Sequence, residues 1–283
     1  MKTIKVSGEF FNVKDTLECG QTFRFKPYEK GFLVNALDKC AYAYNDGDFA
    51  YIQCEDGEQD FFYNYFDLSR DYSIIYSAAL LEKVEILTKA ATVGKGIRIL
   101  NQDPEEMLFS FIVSQNNNIP RIKGIIERLC LAIGEKKSFD GKEYCSFPNA
   151  KAISEKPLEF FSSVGLGYRA AYIKKLGEEI NGGLNVKSFS SLSTDELKQK
   201  LVSLYGVGPK VADCALLFGF HRSNSFPVDT WIEKVYFEDF KGKEKNRNKI
   251  TNYFTDRFKE NSGYFQQYLF HYKRSLEKNL LNK

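Results

Sequence analysis

Lys210 stands directly after the turn Gly206, Val207, Gly208 and Pro209, at the head of the apolar run "KVADCALLFGF". The proline opens a helix there, so the lysine falls in its first turn. A cation at that position sits against the positive end of the helix dipole, and burial would disfavour its charge further. Both effects favour a neutral amine, the form in which lysine acts as a nucleophile. Asp229 follows nineteen positions later, in "FPVDTW". A carboxylate beside such an amine can stabilise a developing carbocation and hold the amine in place. The plainer readings are a surface lysine and an aspartate that caps the helix "TWIEKVYF". Thr230 and Glu233 offer a capping box of their own, which would leave Asp229 free.

The two glycines let backbone approach another molecule closely. Free N–H groups at the start of the second helix make a ready anion site. The same residues also read as ordinary punctuation, a glycine ending one helix and a proline beginning the next. Charge distribution bears on the choice. The net charge is +3, yet residues 1–100 hold 12 basic and 15 acidic side chains, whereas 241–260 hold seven and three. A basic face on a near-neutral body suits a polyanion such as a phosphate backbone. On charge alone, a solvated lysine-rich loop is the simpler account.

These residues need a scaffold. A chain of 283 residues, 43% hydrophobic and 27% charged, can bury a sizeable core in one large domain or two ordinary ones. Residues 1–101 read as β-rich: "TFRFKPYEKGFLVNALDKCAYAYNDGDFAYIQC" alternates apolar with polar residues, and "NDGD" at 45–48 marks a hairpin turn. From 102 to 283 the period is helical. Asp103, Pro104 and Glu106 open one helix with the signs of a capping box, and the asparagines of "SQNNN" at 114–118 close it. Further helices are expected over "IPRIKGIIERLCLAI", after "SVGLG", over "STDELKQKLVSL" with a box from Ser193 to Glu196, and at the C-terminal "GYFQQYLFHYKRSLEKNL". The six cysteines are scattered and form no C-x-x-C pair, so neither a zinc ribbon nor a cysteine-ligated cluster is expected. No signal peptide or membrane-length apolar run stands out, and the expectation is an intracellular, reduced protein, in the cytoplasm or nucleoid of a prokaryote or the nucleus of a eukaryote.

In chain order, "CGQTFRF" at 19–25, "SQNNNIPRIKGIIERLC" at 114–130, "GLGYRAAYI" at 165–173, "GVGPKVADC" at 206–214, "PVDTW" at 227–231 and "GYFQQYLF" at 263–270 resemble the 8-oxoguanine DNA glycosylases with abasic-site lyase activity. These form part of the helix–hairpin–helix DNA glycosylase superfamily. The segments come from both halves of the chain. The resemblance implies an α+β protein: an N-terminal antiparallel β-sheet domain, then an all-α helix–hairpin–helix domain. It implies a monomer acting on double-stranded DNA with oxidised guanine, without a cofactor, a metal or a membrane.

By that resemblance, Lys210 attacks C1′ of the damaged nucleoside and Asp229 assists. Cys214 and Phe270 sandwich the flipped base. Gln266 hydrogen-bonds its pairing edge, and the Gly20 carbonyl accepts the hydrogen that 8-oxoguanine, unlike guanine, carries on N7. Asn116, Arg121, Tyr168 and Arg169 fill the gap and hold the orphaned cytosine, while Gly206 and Gly208 meet the DNA backbone. The sequence departs from the pattern at Trp231, where the family often has a histidine that contacts DNA. Two alternatives stay open. An alkylated-base glycosylase of the same architecture would lack the lysine, and a non-catalytic helix–hairpin–helix module would need no base pocket.

Overall fold

A computed structural model describes residues 1–281. Five strands form one antiparallel sheet in the order β1-β5-β4-β3-β2: β1 (Lys2–Ser7), β2 (Phe25–Tyr28), β3 (Gly31–Ala36), β4 (Lys39–Asp46) and β5 (Phe49–Cys54). The β4–β5 register pairs Asp46 with Phe49 across the Gly47–Asp48 turn, as the "NDGD" signal requires. The alternation seen in the sequence puts Val34, Ala41, Ala43 and Ile52 on the inner face. They pack on Phe11, on α1 (Val13–Glu18) and on α2 (Gln59–Tyr65), where Phe62 and the following Phe66 are fully buried.

The helical core is separate. It is built by α3 (Tyr72–Leu81), α4 (Glu85–Val93), α5 (Pro104–Ser114), α6 (Ile119–Ile133), α7 (Ala150–Ser154), α8 (Leu158–Ser163), α9 (Arg169–Asn181), α10 (Thr194–Val202), α11 (Pro209–Phe218), α12 (Thr230–Lys234), α13 (Arg247–Phe258) and α14 (Ser262–Leu281). Tyr72, Ile75, Leu87 and Ala90 share one cluster with Leu216, Phe265 and Tyr268. Helices α3 and α4 therefore pack with the helical body, although they precede the change of period at residue 102.

Two capping signals have different fates. Ser193 and Glu196 close the expected reciprocal box at the start of α10. Asp103 caps α5, but Glu106 does not turn back to it. Its carboxylate instead takes the Arg24 guanidinium at 3.0 Å and the Leu37 N–H at 2.6 Å. A residue expected to finish a helix end thus locks the sheet onto α5. A second hairpin, β6 (Lys136–Phe139) and β7 (Lys142–Cys145), turns at Asp140–Gly141 and is tied to the sheet by Lys137 and Tyr144 on Asp38.

Candidate active site

The hairpin joins α10 to α11. Val207 N–H closes the turn on the Leu204 carbonyl at 3.1 Å. Gly206 has φ +84°, and a Cβ there would lie 2.3 Å from the Tyr172 ring. Any side chain at this position meets both backbone strain and a clash, so the glycine is structurally required. Gly208 is the N-cap residue, Pro209 the first helical residue and Lys210 the second, as the sequence predicts. Lys210 is half-buried, not enclosed, with its ammonium 5.1 Å from the centre of the Phe111 ring. It also reaches the Cys214 thiol one turn on. Burial pushes that thiol up to about 11, against the pull of Lys210, so Cys214 is a neutral wall at pH 7.

Asp229 is the N-cap of α12. Its carboxylate accepts the N–H groups of Trp231 and Ile232, both at 3.0 Å. This corrects the expectation of a Thr230–Glu233 box: Thr230 is already inside the helix, and Glu233 binds Arg247 at 2.6 Å. Capping does not remove the carboxylate from the site. Asp229 still lines the pocket beside Lys210, and the two interact electrostatically. Burial raises its pKa above the ordinary carboxylate value, while the Ile232 N–H and Lys210 oppose that rise. The cap fixes the carboxylate's position beside the lysine.

Gly20, Lys210, Cys214, Asp229, Gln266 and Phe270 line one narrow inner cleft, six residues from four distant segments. The cleft is about 50 Å³, room for one or two waters, so its walls must part before a purine enters. Gln266 donates to the Pro227 carbonyl at 3.1 Å, which aims its amide. Its Oε1 is buried with no hydrogen-bond partner among the described residues. An orphaned buried acceptor is costly, and a ligand N–H would satisfy it. Gly20 has φ +93°, at the end of α1.

A groove of about 860 Å³ shares Lys210 and Asp229 with the cleft and is bordered also by Asn116, Tyr168, Gly208, Trp231 and Arg247. Asn116 is exposed at φ +45°, a left-handed conformation that asparagine tolerates. Arg121 is exposed on the first turn of α6. Tyr168 is 53% exposed. Arg169 behaves differently: it is only 4% exposed and lies beneath the loop, donating to the carbonyls of Gln115 and Asn116. Trp231 offers no ionisable ring, but the Lys234 ammonium lies 4.8 Å from its ring centre. From the basic stretch, Arg247 reaches the groove rim.

Two family models match the chain, and they meet inside it. Residues 3–108 match the N-terminal domain of 8-oxoguanine DNA glycosylase, and residues 109–260 match the HhH-GPD superfamily of base excision DNA repair proteins. The chain belongs to the 8-oxoguanine N-glycosylase/DNA lyases of the HhH-GPD superfamily. A probable N-glycosylase/DNA lyase from Methanothermobacter thermautotrophicus is 30% identical over 229 residues, 74% of this chain and 72% of the relative. The structure of MBOgg1 in complex with a low-affinity DNA ligand superposes with a TM-score of 0.92 at 36% identity, covering 98% of this chain and 97% of that one. The Clostridium acetobutylicum 8-oxoguanine glycosylase/lyase, in complex with duplex DNA carrying cytosine opposite 8-oxoG, gives 0.90 at 35% identity, covering 98% and 99%. The glycosylase/lyase fold is thus present from the first strand to the final helix.

Within this glycosylase/lyase framework, one structural hub goes unmarked in the sequence. The Gln115 side chain donates to the Gly206 carbonyl at 2.8 Å, and its own carbonyl receives Arg169. Gln115 thereby ties the asparagine loop to the lysine hairpin. Its type gives no signal in the sequence, because the contact spans 91 positions.

Proposed function

We propose that this protein excises 8-oxoguanine from double-stranded DNA and then cleaves the abasic strand, with Lys210 as nucleophile. The observation that carries the reading is the convergence of Lys210, Asp229 and the base-reading residues on one inner cleft. The free amine of Lys210 attacks C1′ while the C1′–N9 bond breaks, its electron pair leaving with the base. Asp229, held by its cap bonds, opposes the positive charge that builds on the sugar. Sugar opening gives a Schiff base between Lys210 and C1′. Loss of a C2′ proton then expels the 3′ phosphate.

Base choice follows from the walls. The neutral Cys214 thiol and the Phe270 ring take the two faces of the base. Gln266 Oε1 accepts from the pairing edge, and the Gly20 carbonyl takes the N7 hydrogen. Guanine presents a lone pair at N7, which that carbonyl repels. On this reading Arg121, exposed on the first turn of α6, reads the orphaned cytosine, and Asn116 and Tyr168 fill the gap. The protein works on this reading as a monomer without a cofactor.

The test is incision of duplexes carrying 8-oxoguanine opposite each of the four bases, with and without borohydride. A borohydride-trapped, strand-cleaved product is expected. Base loss without trapping would favour the alkylated-base type of hydrolysis, and binding without base loss would favour a passive DNA-binding module.

A further inference from the structure

On α14, Gln266, Phe270 and Arg274 recur every four residues and so share one face. The first two line the base cleft, and the third lies one turn beyond its lining. Arg274 is 9% exposed. Its Nη2 donates to the Glu18 carbonyl, while the neighbouring Gln267 donates to the Cys19 carbonyl at 2.8 Å. The end of α1 is thus pinned to α14 immediately before Gly20. The guanidinium carbon lies 5.3 Å from the centre of the Phe270 ring. Its second terminal nitrogen, Nη1, is buried with no hydrogen-bond partner among the described residues. A Cβ built on Gly20 would meet that Nη1 and the Phe270 ring edge, each at 3.2 Å. An unpaired cationic donor therefore sits where the Gly20 and Phe270 walls meet.

We propose that Arg274 is a specificity-determining residue whose Nη1 donates to the C8 oxygen of the lesion. This rests on the 8-oxoguanine reading above and deepens it. The lesion differs from guanine at two adjacent positions, a hydrogen gained on N7 and an oxygen gained on C8. The Gly20 carbonyl matches the first, and the Arg274 donor beside it matches the second. Guanine fails both tests, because its C8–H cannot accept and its N7 carries no hydrogen. Burying guanine leaves Nη1 unpaired and sets a lone pair against the carbonyl. A site built to hydrogen-bond rejects the analogue that leaves its groups unpaired. Gly20 serves a second purpose here: any side chain would fill the space the C8 oxygen needs.

The experiment compares single-turnover excision of 8-oxoguanine and of its 8-thio analogue, each opposite cytosine. The analogue keeps the N7 hydrogen but puts sulfur, a weaker acceptor, at C8. Wild type should favour the oxo base. In Arg274→Met, which keeps bulk and unbranched shape, excision of the oxo base should fall about tenfold to a hundredfold, the worth of a hydrogen bond to a charged group. Excision of the thio base should fall much less, so the oxo-to-thio ratio collapses. Arg274→Lys keeps a cation that reaches only one acceptor. It should retain the melting temperature yet also lose the ratio, and it decides the matter if the methionine variant does not fold. If both bases slow equally in the variants, Arg274 merely braces Phe270 and Glu18, and the proposal is wrong. If wild type removes neither base, the 8-oxoguanine reading fails with it.

Discussion

The guanidinium of Arg169 is spent on the backbone of Gln115: Nε donates to that carbonyl at 2.8 Å, and Nη2 reaches the same oxygen and the Asn116 carbonyl. The family resemblance puts Arg121 and Arg169 together as readers of the orphaned base. The fold separates them, leaving Arg121 in solvent and placing Arg169 as the strut under the Gln115–Asn116 loop. Their substitutions should therefore fail differently. Arg121→Ala should lower the preference for cytosine over adenine by roughly tenfold to a hundredfold, the usual worth of a good two-donor base contact. Arg169→Ala should slow excision opposite every base, leave the ratio nearly intact and lower the melting temperature. Single-turnover rates opposite cytosine and adenine measure both. A ratio lost only in Arg169→Ala would mean that the buried guanidinium swings out to read the base.

Lys210→Gln should abolish strand cleavage and borohydride trapping while duplex binding persists. Glutamine keeps an unbranched stem and a polar end, one atom shorter, but has no nucleophilic amine. The hairpin itself depends on Gly206 and Pro209, so its shape should survive. Trapping gels and gel-shift binding on one lesion duplex check this. Normal trapped product from the variant would move the nucleophile elsewhere.

Which features are legible in the sequence follows from the range of the forces involved. Strand alternation, the "NDGD" turn, the Ser193 box and the Gly208–Pro209–Lys210 helix start are local, each set by residues within a few positions. The residue pattern therefore shows them directly. The second hairpin is nearly silent: four-residue strands beginning with lysine show too little alternation, although Asp140–Gly141 is a turn signal. Glu106 has the spacing of a cap, and its true partner, Arg24, lies 82 positions away, beyond the reach of any local pattern. Asp229 reads as a candidate site residue through the family resemblance, but the box pattern beginning at Thr230 competes with its capping role one residue out of register. Arg169 and Arg274 are arginines on helices, and only the packing shows that both are buried.

Asp229 caps α12, the proposed function gives it a second job in the chemistry, and two substitutions separate the two. Asparagine caps helices as well as aspartate, so Asp229→Asn should keep the melting temperature within a degree or two while slowing excision by roughly a hundredfold or more. Asp229→Ala should lose the cap as well, costing about 1–2 kcal/mol. The pH dependence carries the same signature. Because burial raises the Asp229 pKa, the carboxylate is lost on acidification at a pH above the ordinary carboxylate value. Wild-type excision should fall with that midpoint, and the limb should vanish from the residual rate of Asp229→Asn. Equal fractional losses of stability and of rate across the two variants would make Asp229 a cap and nothing more.

The hairpin helices are also joined by an ion pair, Lys198 on α10 to Asp213 on α11 at 2.6 Å, with the aspartate side chain 4% exposed. Burial pushes the Asp213 carboxyl up to about 6 even though Lys198 pulls it down. A carboxyl whose pKa is raised in the fold holds its proton more tightly than the unfolded chain does. Its contribution to stability is therefore largest in acid and declines as pH rises from the ordinary value through about 6. Lys198→Ala removes the cation that opposes that decline. At pH 8 it should leave a buried, uncompensated charge and cost about 3 kcal/mol. For a chain of this size that is a fall of about 5 °C in melting temperature. At pH 5 the orphaned carboxyl can keep its proton, so the deficit should shrink to half or less. Asp213→Asn, which carries no charge to strand, should be indifferent to pH over the same range. Melting curves of the three proteins at pH 5 and 8 decide it. An equal deficit for Lys198→Ala at both values would mean that Lys198 stabilises the hairpin by packing its stem, with the charge playing no part.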